Sequence, residues 1–228
     1  MIHYHGTPIT PVNALYELAG RCFCVSHSAP QDVERVHAIG QSVMLDNGAF
    51  SAWKKKRAVN WTAYYLWCER WLSSPSTWAV IPDEIDAGAQ LQDALIKDWP
   101  HGAKGAPVWH MDEPLDRLLR LIDEWPRVCI GSTDRYAVVL SPVWERRMDE
   151  CWNAIAQLRR FLPVVHMLRG MQLSGERWPF ASVDSTDIGR NHNRPQNTPR
   201  LMADRWDALQ TPTSWSLRPV QEDIFDAA

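Results

Sequence analysis

Residues 43–51 read Val43-Met44-Leu45-Asp46-Asn47-Gly48-Ala49-Phe50-Ser51. A short apolar run stops at a carboxylic acid, and the Asn-Gly pair behind it is a strong turn signal, so the stretch reads as a buried strand entering a βα loop. The same pattern recurs along the chain. Candidate strands run from Ile2 to His5, Cys22 to Ser26, Val43 to Asp46, Trp78 to Ile81, Pro107 to His110, Val128 to Gly131, Val164 to Met167 and Phe180 to Asp184. Between them apolar residues return every three or four positions, which predicts helices at Trp61 to Leu72, Ala87 to Asp98, Pro114 to Trp125 and Pro142 to Phe161. In the third of these, Leu115, Leu118, Leu119 and Ile122 form one stripe, with Pro114 near its start and Pro126 just beyond its end.

Strands alternating with helices imply a parallel sheet. Seven strand-to-strand steps cover the 179 residues from His5 to Asp184, about 26 each, which predicts an α/β fold of the compact (β/α)8, TIM-like kind in a single domain over residues 1–195. A doubly wound open sheet is the structural alternative. The step from His166 to Asp184 contains Gly170, Gly175 and Pro179, so its helix is expected to be short or missing. Residues 196–228, with Pro199, Pro212 and Pro219, read as a C-terminal helix and an irregular extension packed on the barrel.

The 228 residues are 45% hydrophobic and 22% charged, ordinary globular usage that excludes a disordered chain, a collagen-like repeat or a coiled coil. No apolar run approaches the ~18 residues that cross a bilayer, and the start of the chain lacks the pattern of a signal peptide, so a cytoplasmic setting without a membrane partner is expected. Cys22, Cys24, Cys68, Cys129 and Cys151 are scattered and odd in number, which signals neither a disulfide framework nor a zinc ribbon. The net charge of -3 argues against binding nucleic acid through bulk charge but leaves room for local basic patches. Two such patches stand out, Lys54-Lys55-Lys56-Arg57 and the group Arg190, Arg194 and Arg200.

The ends of the candidate strands present His5, His27, Asp46, Asp83, His110, Gly131-Ser132, His166 and Asp184. In a barrel these ends open onto one face, and a carboxylate at the end of a buried strand is costly unless it is paired, hydrogen-bonded or functional. Each residue alone also fits a plain structural role. Asp46 can cap its own turn, Asp83 can cap the next helix, and His110 or His166 can be a satisfied interior histidine. The joint pattern, three carboxylates able to converge on one pocket, is what points to a site.

These motifs resemble those of the tRNA-guanine transglycosylases. Leu45-Asp46-Asn47-Gly48-Ala49-Phe50-Ser51 is similar to that family's Asp-Ser-Gly-Gly-Phe-Gln signature, and Pro82-Asp83-Glu84 to its Phe-Asp-Glu segment. Ile130-Gly131-Ser132 falls where the family has a glycine-rich strand end, and His166-Met167-Leu168-Arg169-Gly170 resembles its strand-seven motif. Val183-Asp184-Ser185-Thr186 with Arg190-Asn191 resembles its Phe-Asp-Cys block. The family's zinc cluster has no counterpart here, and the chain more closely resembles the small zinc-free bacteriophage relatives that insert 7-deazaguanines into DNA.

The resemblance implies Asp184 as nucleophile, with Asp187 as the fallback, and Asp46 as general acid/base. It implies base recognition by Asp83 and Gly131, with Ser132, His110, His166, Phe50 and Met167 around the base. DNA would lie against Lys54, Lys55, Lys56, Arg57, Arg190, Asn191 and Arg194, with tRNA as the alternative substrate. The co-substrate would be a free 7-deazaguanine such as preQ0, with no metal and no other cofactor. The residue types suit that chemistry. One carboxylate can attack C1′ and hold the sugar as an ester, a second can move the proton of the departing and arriving base, and a third can accept the N1–H and 2-amino donors of a guanine. Two other readings stand beside it. His3, His5, His110 and Asp184 resemble part of the amidohydrolase metal-ligand pattern, which here lacks the strand-four lysine and the strand-six histidine. A nucleic-acid-binding barrel without catalysis is the other.

Overall fold

The computed structural model describes residues 1–159 and 161–219. Nine strands form one all-parallel sheet. They are β1 (Ile2–Gly6), β2 (Cys22–Ser26), β3 (Ser42–Asp46), β4 (Thr77–Val80), β5 (Gly105–Ala106), β6 (Val108–His110), β7 (Val128–Gly131), β8 (Val165–Met167) and β9 (Ser182–Ser185). The strand order is β5-β4-β3-β2-β1-β9-β8-β7-β6. The two ends of that order are consecutive in the chain, separated only by Pro107. Proline has no N–H to give a ladder, and the strand changes partner there: β5 pairs with β4, while the Pro107 carbonyl accepts from Cys129 N at 2.8 Å and β6 pairs with β7. The eight expected strands are therefore all present, with the unexpected two-residue β5 just before the fifth, and the sheet curls into a nearly closed barrel.

Contacts across the interior show the curl directly. Trp78 on β4 meets Tyr4 on β1 and His166 on β8, ring centroids 5.6 and 5.2 Å apart, although neither strand neighbours β4 in the sheet. Strand side chains alternate between faces, and one phase, Tyr4, Cys22, Cys24, Met44, Trp78, Val80, Ala106, Val108 and Cys129, fills the inside. The opposite phase packs under the helices in two clusters, one around Phe23, Val43, Leu45 and Tyr64, the other around Trp109, Ile130, Trp144 and Trp152. Gly105 is where β5 passes closest to its neighbours, since a Cβ there would lie 2.3 Å from Trp99 Nε1 and 2.7 Å from Ile81.

The helices are α1 (Val12–Tyr16), α2 (Val33–Ile39), α3 (Ala49–Lys54), α4 (Trp61–Trp71), α5 (Ala89–Lys97), α6 (Leu115–Glu124), α7 (Pro142–Leu158), α8 (Asp187–Asn191) and α9 (Pro199–Asp207). The four helices expected from periodicity are α4 to α7. Helix α7 stops at Leu158, short of the expected Phe161, because Arg159 is already extended with φ -131 and ψ 135; Arg160 lies outside the described residues. Between β8 and β9 only a single 3-10 turn forms, Met171–Leu173. The expected C-terminal helix is α9, and the following segment is fastened to α7 through Asn153, whose Oδ1 accepts from Trp215 Nε1 and Arg218 N. Residues 220–228 of the expected extension lie outside the described residues. Among the described residues no helix is long and apolar enough to cross a membrane.

Candidate active site

At the C-terminal ends of the strands the barrel opens into a cavity of about 460 Å³. Asp46, Asp83 and Asp184 line it together, with Gly6, Cys24, Phe50, His110 and Gly131. Strand alternation explains part of the convergence, while Asp83 comes in from the turn beyond β4. Asp46 is two residues beyond the inward Met44, His110 two beyond Val108 and Gly131 two beyond Cys129, so each extends an inward phase to the rim.

Asp184, on β9, is 8% exposed. Its Oδ1 accepts the backbone N–H of Arg169 at 2.6 Å and lies 3.3 Å from His166 Nε2. Oδ2 has no hydrogen-bond partner among the described residues. Burial lowers the pKa of His166 and outweighs the opposing pull of Asp184, so the ring is neutral near pH 7. One arrangement satisfies both of its nitrogens: Nε2–H donates to Asp184, and Nδ1 accepts from the Ser182 hydroxyl 2.8 Å away. Arg169 holds a left-handed φ of 54°, a conformation costing a non-glycine residue on the order of 1 kcal/mol. The strained turn presents its N–H to Asp184 while the guanidinium lies over Phe50, 3.7 Å from the ring centroid.

Asp46 accepts from Gly48 N at 3.1 Å, so its turn-capping role is real, but the same carboxyl lines the cavity. Burial pushes its pKa from 3.8 up to about 6; the charges of Asp184 and Asp83 add to the rise, and bonds from Ser26 and Gly48 oppose it. Asp83 does not cap a helix, because the next one begins only at Ala89. Its Oδ1 accepts from Asn47 Nδ2 at 2.7 Å and its Oδ2 faces His110 Nε2 at 2.9 Å. Asn47 also donates to the Ile81 carbonyl at 2.9 Å and accepts from Ala49 N at 2.8 Å, tying the turn after β3 to the turn after β4. At His110 burial works against the charged ring, yet the bond and charge of Asp83, with Glu113 and Asp112, raise its pKa. Gly131 keeps this pair seated, for a Cβ there would press on His110 Cδ2 at 3.0 Å.

Several expected site residues are placed elsewhere. The Ser132 hydroxyl accepts from Trp144 Nε1 at 2.9 Å, behind the strand. Met167 takes the outward phase of β8 and is fully buried in the helix-side core. His166 is wholly buried inside the barrel and reaches the cavity only through Asp184. His110 aims its Nε2 at Asp83, so it is a partner of that carboxylate and not a free donor to a base. Asp187, the fallback nucleophile, is turned into a different cleft, where Asn191 Nδ2 and Trp206 Nε1 donate to its oxygens at 2.6 and 3.1 Å. Arg194 lines that same cleft. Of the two basic groups, Lys54 and Arg190 line the cavity; Lys55, Lys56 and Arg57 stand exposed beside it. His3 points away from the cavity, bonded to Ser174 and Asp207, and His5 shares its strand face, so the histidine pair of the metal-hydrolase reading is not at the site. Among the described residues no cluster of three or more His, Cys, Asp or Glu side chains is arranged to hold a metal ion.

Two residues of the site escaped the sequence reading. Asn47 reads as half of a turn dipeptide, and its buried bond to Asp83 depends on a strand neighbour 36 positions away. Arg169 stands inside the His166-to-Gly170 motif with no role assigned to it from sequence; the following Gly170 is packed so closely that a Cβ would meet Met167 Cγ at 2.5 Å. Comparison of the chain with protein-family models, curated proteins and solved structures finds no match.

Proposed function

We propose that this chain is a (β/α)8, TIM-like barrel that replaces guanine in DNA with a 7-deazaguanine base through a covalent aspartyl-sugar intermediate, in the manner of the transglycosylases its motifs resemble. The observation that carries the reading is the meeting of Asp46, Asp83 and Asp184 in one cavity with the Asp184 Oδ2 left free. That oxygen attacks C1′ of the target nucleotide as the C1′–N9 bond breaks, giving a sugar ester and free guanine. Asp46 delivers the proton that the departing base gains. An acid with a pKa of about 6 is suited to give and take a proton near neutrality. The incoming base loses its N9 proton to Asp46 and displaces Asp184, so two inversions at C1′ restore the original configuration.

Asp83 accepts one hydrogen bond on each oxygen from the protein, and each carboxylate oxygen has a second lone pair. The guanine edge, with N1–H and the 2-amino group side by side, fits those remaining positions. Lys54, Arg169 and Arg190 supply positive charge at the cavity for the flanking phosphates.

Mass spectrometry of nucleosides from DNA and tRNA of cells expressing the chain, supplied with a 7-deazaguanine, tests the reading. A modified deoxynucleoside supports it, modification confined to tRNA moves the substrate to RNA, and modification of neither rejects base exchange. Asp184→Asn is expected to lower guanine exchange by at least about a thousandfold while the protein stays folded. Full exchange by that variant rejects the nucleophile.

A further inference from the structure

Helix α3 carries a second surface that the exchange chemistry leaves unused. Trp53 is 45% exposed, yet it is held in place. Its Nε1 donates to Asp86 Oδ2 at 2.7 Å, and its ring stacks against Phe50 with centroids 5.8 Å and planes 27° apart. Phe50 itself lines the cavity, so the two rings make an aromatic step from the cavity wall to the outer surface. Next to the indole is a hollow of about 650 Å³ lined by Trp53, Lys54, Lys56, Arg57 and Ala58. Three cations line it in a chain whose net charge is -3, while the Asp86 carboxylate is taken up at the Nε1 edge of the indole.

A fixed, half-exposed π face bordered by cations matches one kind of ligand, a planar base joined to phosphates. A duplex keeps its bases stacked on one another and offers no free face. We propose that the Trp53 hollow seats an unpaired nucleotide beside the target guanine, its base on the indole and its phosphates against Lys54, Lys56 and Arg57, so that the DNA is engaged as a single strand. The identity of the strand rests on the DNA reading of the cavity; the stacking platform does not depend on catalysis.

The test is fluorescence anisotropy of a labelled single-stranded deoxyoligonucleotide with a central guanine, and of the same sequence as a duplex, titrated with the full chain. Trp53→Ala is expected to weaken single-strand binding about tenfold, and Trp53→Tyr to keep most of it. Lys56→Ala is expected to weaken binding and to lower the slope of log affinity against log salt by about one. A matching thermal melt shows that each variant is folded. Single-strand affinity unchanged by Trp53→Ala overturns the platform, as does a duplex bound more tightly than the single strand. Guanine exchange assayed in parallel separates the two ideas. Exchange without any effect of Trp53→Ala sinks only the platform, and a Trp53-dependent affinity without exchange sinks only the reaction.

Discussion

Asp46 concentrates the conflict between folding and chemistry in one side chain. Burial beside Asp83 and Asp184 raises its pKa from 3.8 to about 6, which makes it a competent proton carrier and a poor structural residue. The sign follows from proton counting. Between about pH 4 and pH 6 the folded protein binds more protons at this site than the unfolded chain does, so stability falls as pH rises through that window and stays lowered above it. Asp46→Asn removes the charge and keeps an oxygen for the Gly48 N–H. It should raise unfolding stability by on the order of 2 kcal/mol at pH 8 and by nothing near pH 4, while abolishing exchange. Urea titrations at the two pH values read this directly. An equal gain at both would show that ionisation of Asp46 is not the source of the cost.

At the scale of the element, the site is built from pairs of strand-end turns, and the turn after β3 shows how. Gly48 has φ 79°, and from that left-handed position its N–H reaches the Asp46 carboxylate while Asn47 is freed to hold Asp83. Gly48→Ala puts a Cβ into that conformation 3.3 Å from Ser28 N, and should cost about 1–2 kcal/mol of stability. Because the turn carries both groups, the same variant should also weaken binding of the free base. Paired denaturation and base-binding measurements check this, and a stability loss with unchanged base affinity would uncouple the turn from Asp83. The turn also shows what sequence can reveal. Its strand was legible because Val43, Met44 and Leu45 are a compact apolar run, whereas β5, only Gly105 and Ala106, carries no such mark and was not legible. Helices α1, α2, α3 and α8 were not legible, because five to seven residues are too few for a 3.6-residue period to declare itself. The carboxylates could be found because an acid at a strand end is conspicuous. Their partners, Asn47 and Arg169, could not, because turn chemistry and surface charge give the same letters.

On the scale of the whole molecule, the nearly closed ring of strands depends on pairing the first strand of the chain with the last. β1 lies beside β9, Tyr4 opposite Asp184, so closure joins segments about 180 residues apart and must offset a correspondingly large loss of chain freedom. An ion cluster behind β1 fastens that closure. Asp207 at the end of α9 takes His3 Nδ1 at 3.0 Å and also pairs with Arg21, which reaches Asp204 as well. Burial alone would raise the Asp207 pKa, but the bond from His3 and the charges of His5, Arg21 and His3 more than reverse it, so the pKa is lowered. A carboxylate lowered in the folded state stabilises above its ordinary value of 3.8, and that contribution disappears as pH falls through the folded pKa. Asp207→Asn should therefore lower stability by about 1–2 kcal/mol at pH 7, a difference that shrinks as the pH falls below 3.8. Urea midpoints for the two proteins, followed from pH 7 into acid, decide it. If the gap between them persists undiminished in acid, α9 is held to β1 by packing of Met202 and Ala203 against the barrel, and the charge of Asp207 is incidental to closure.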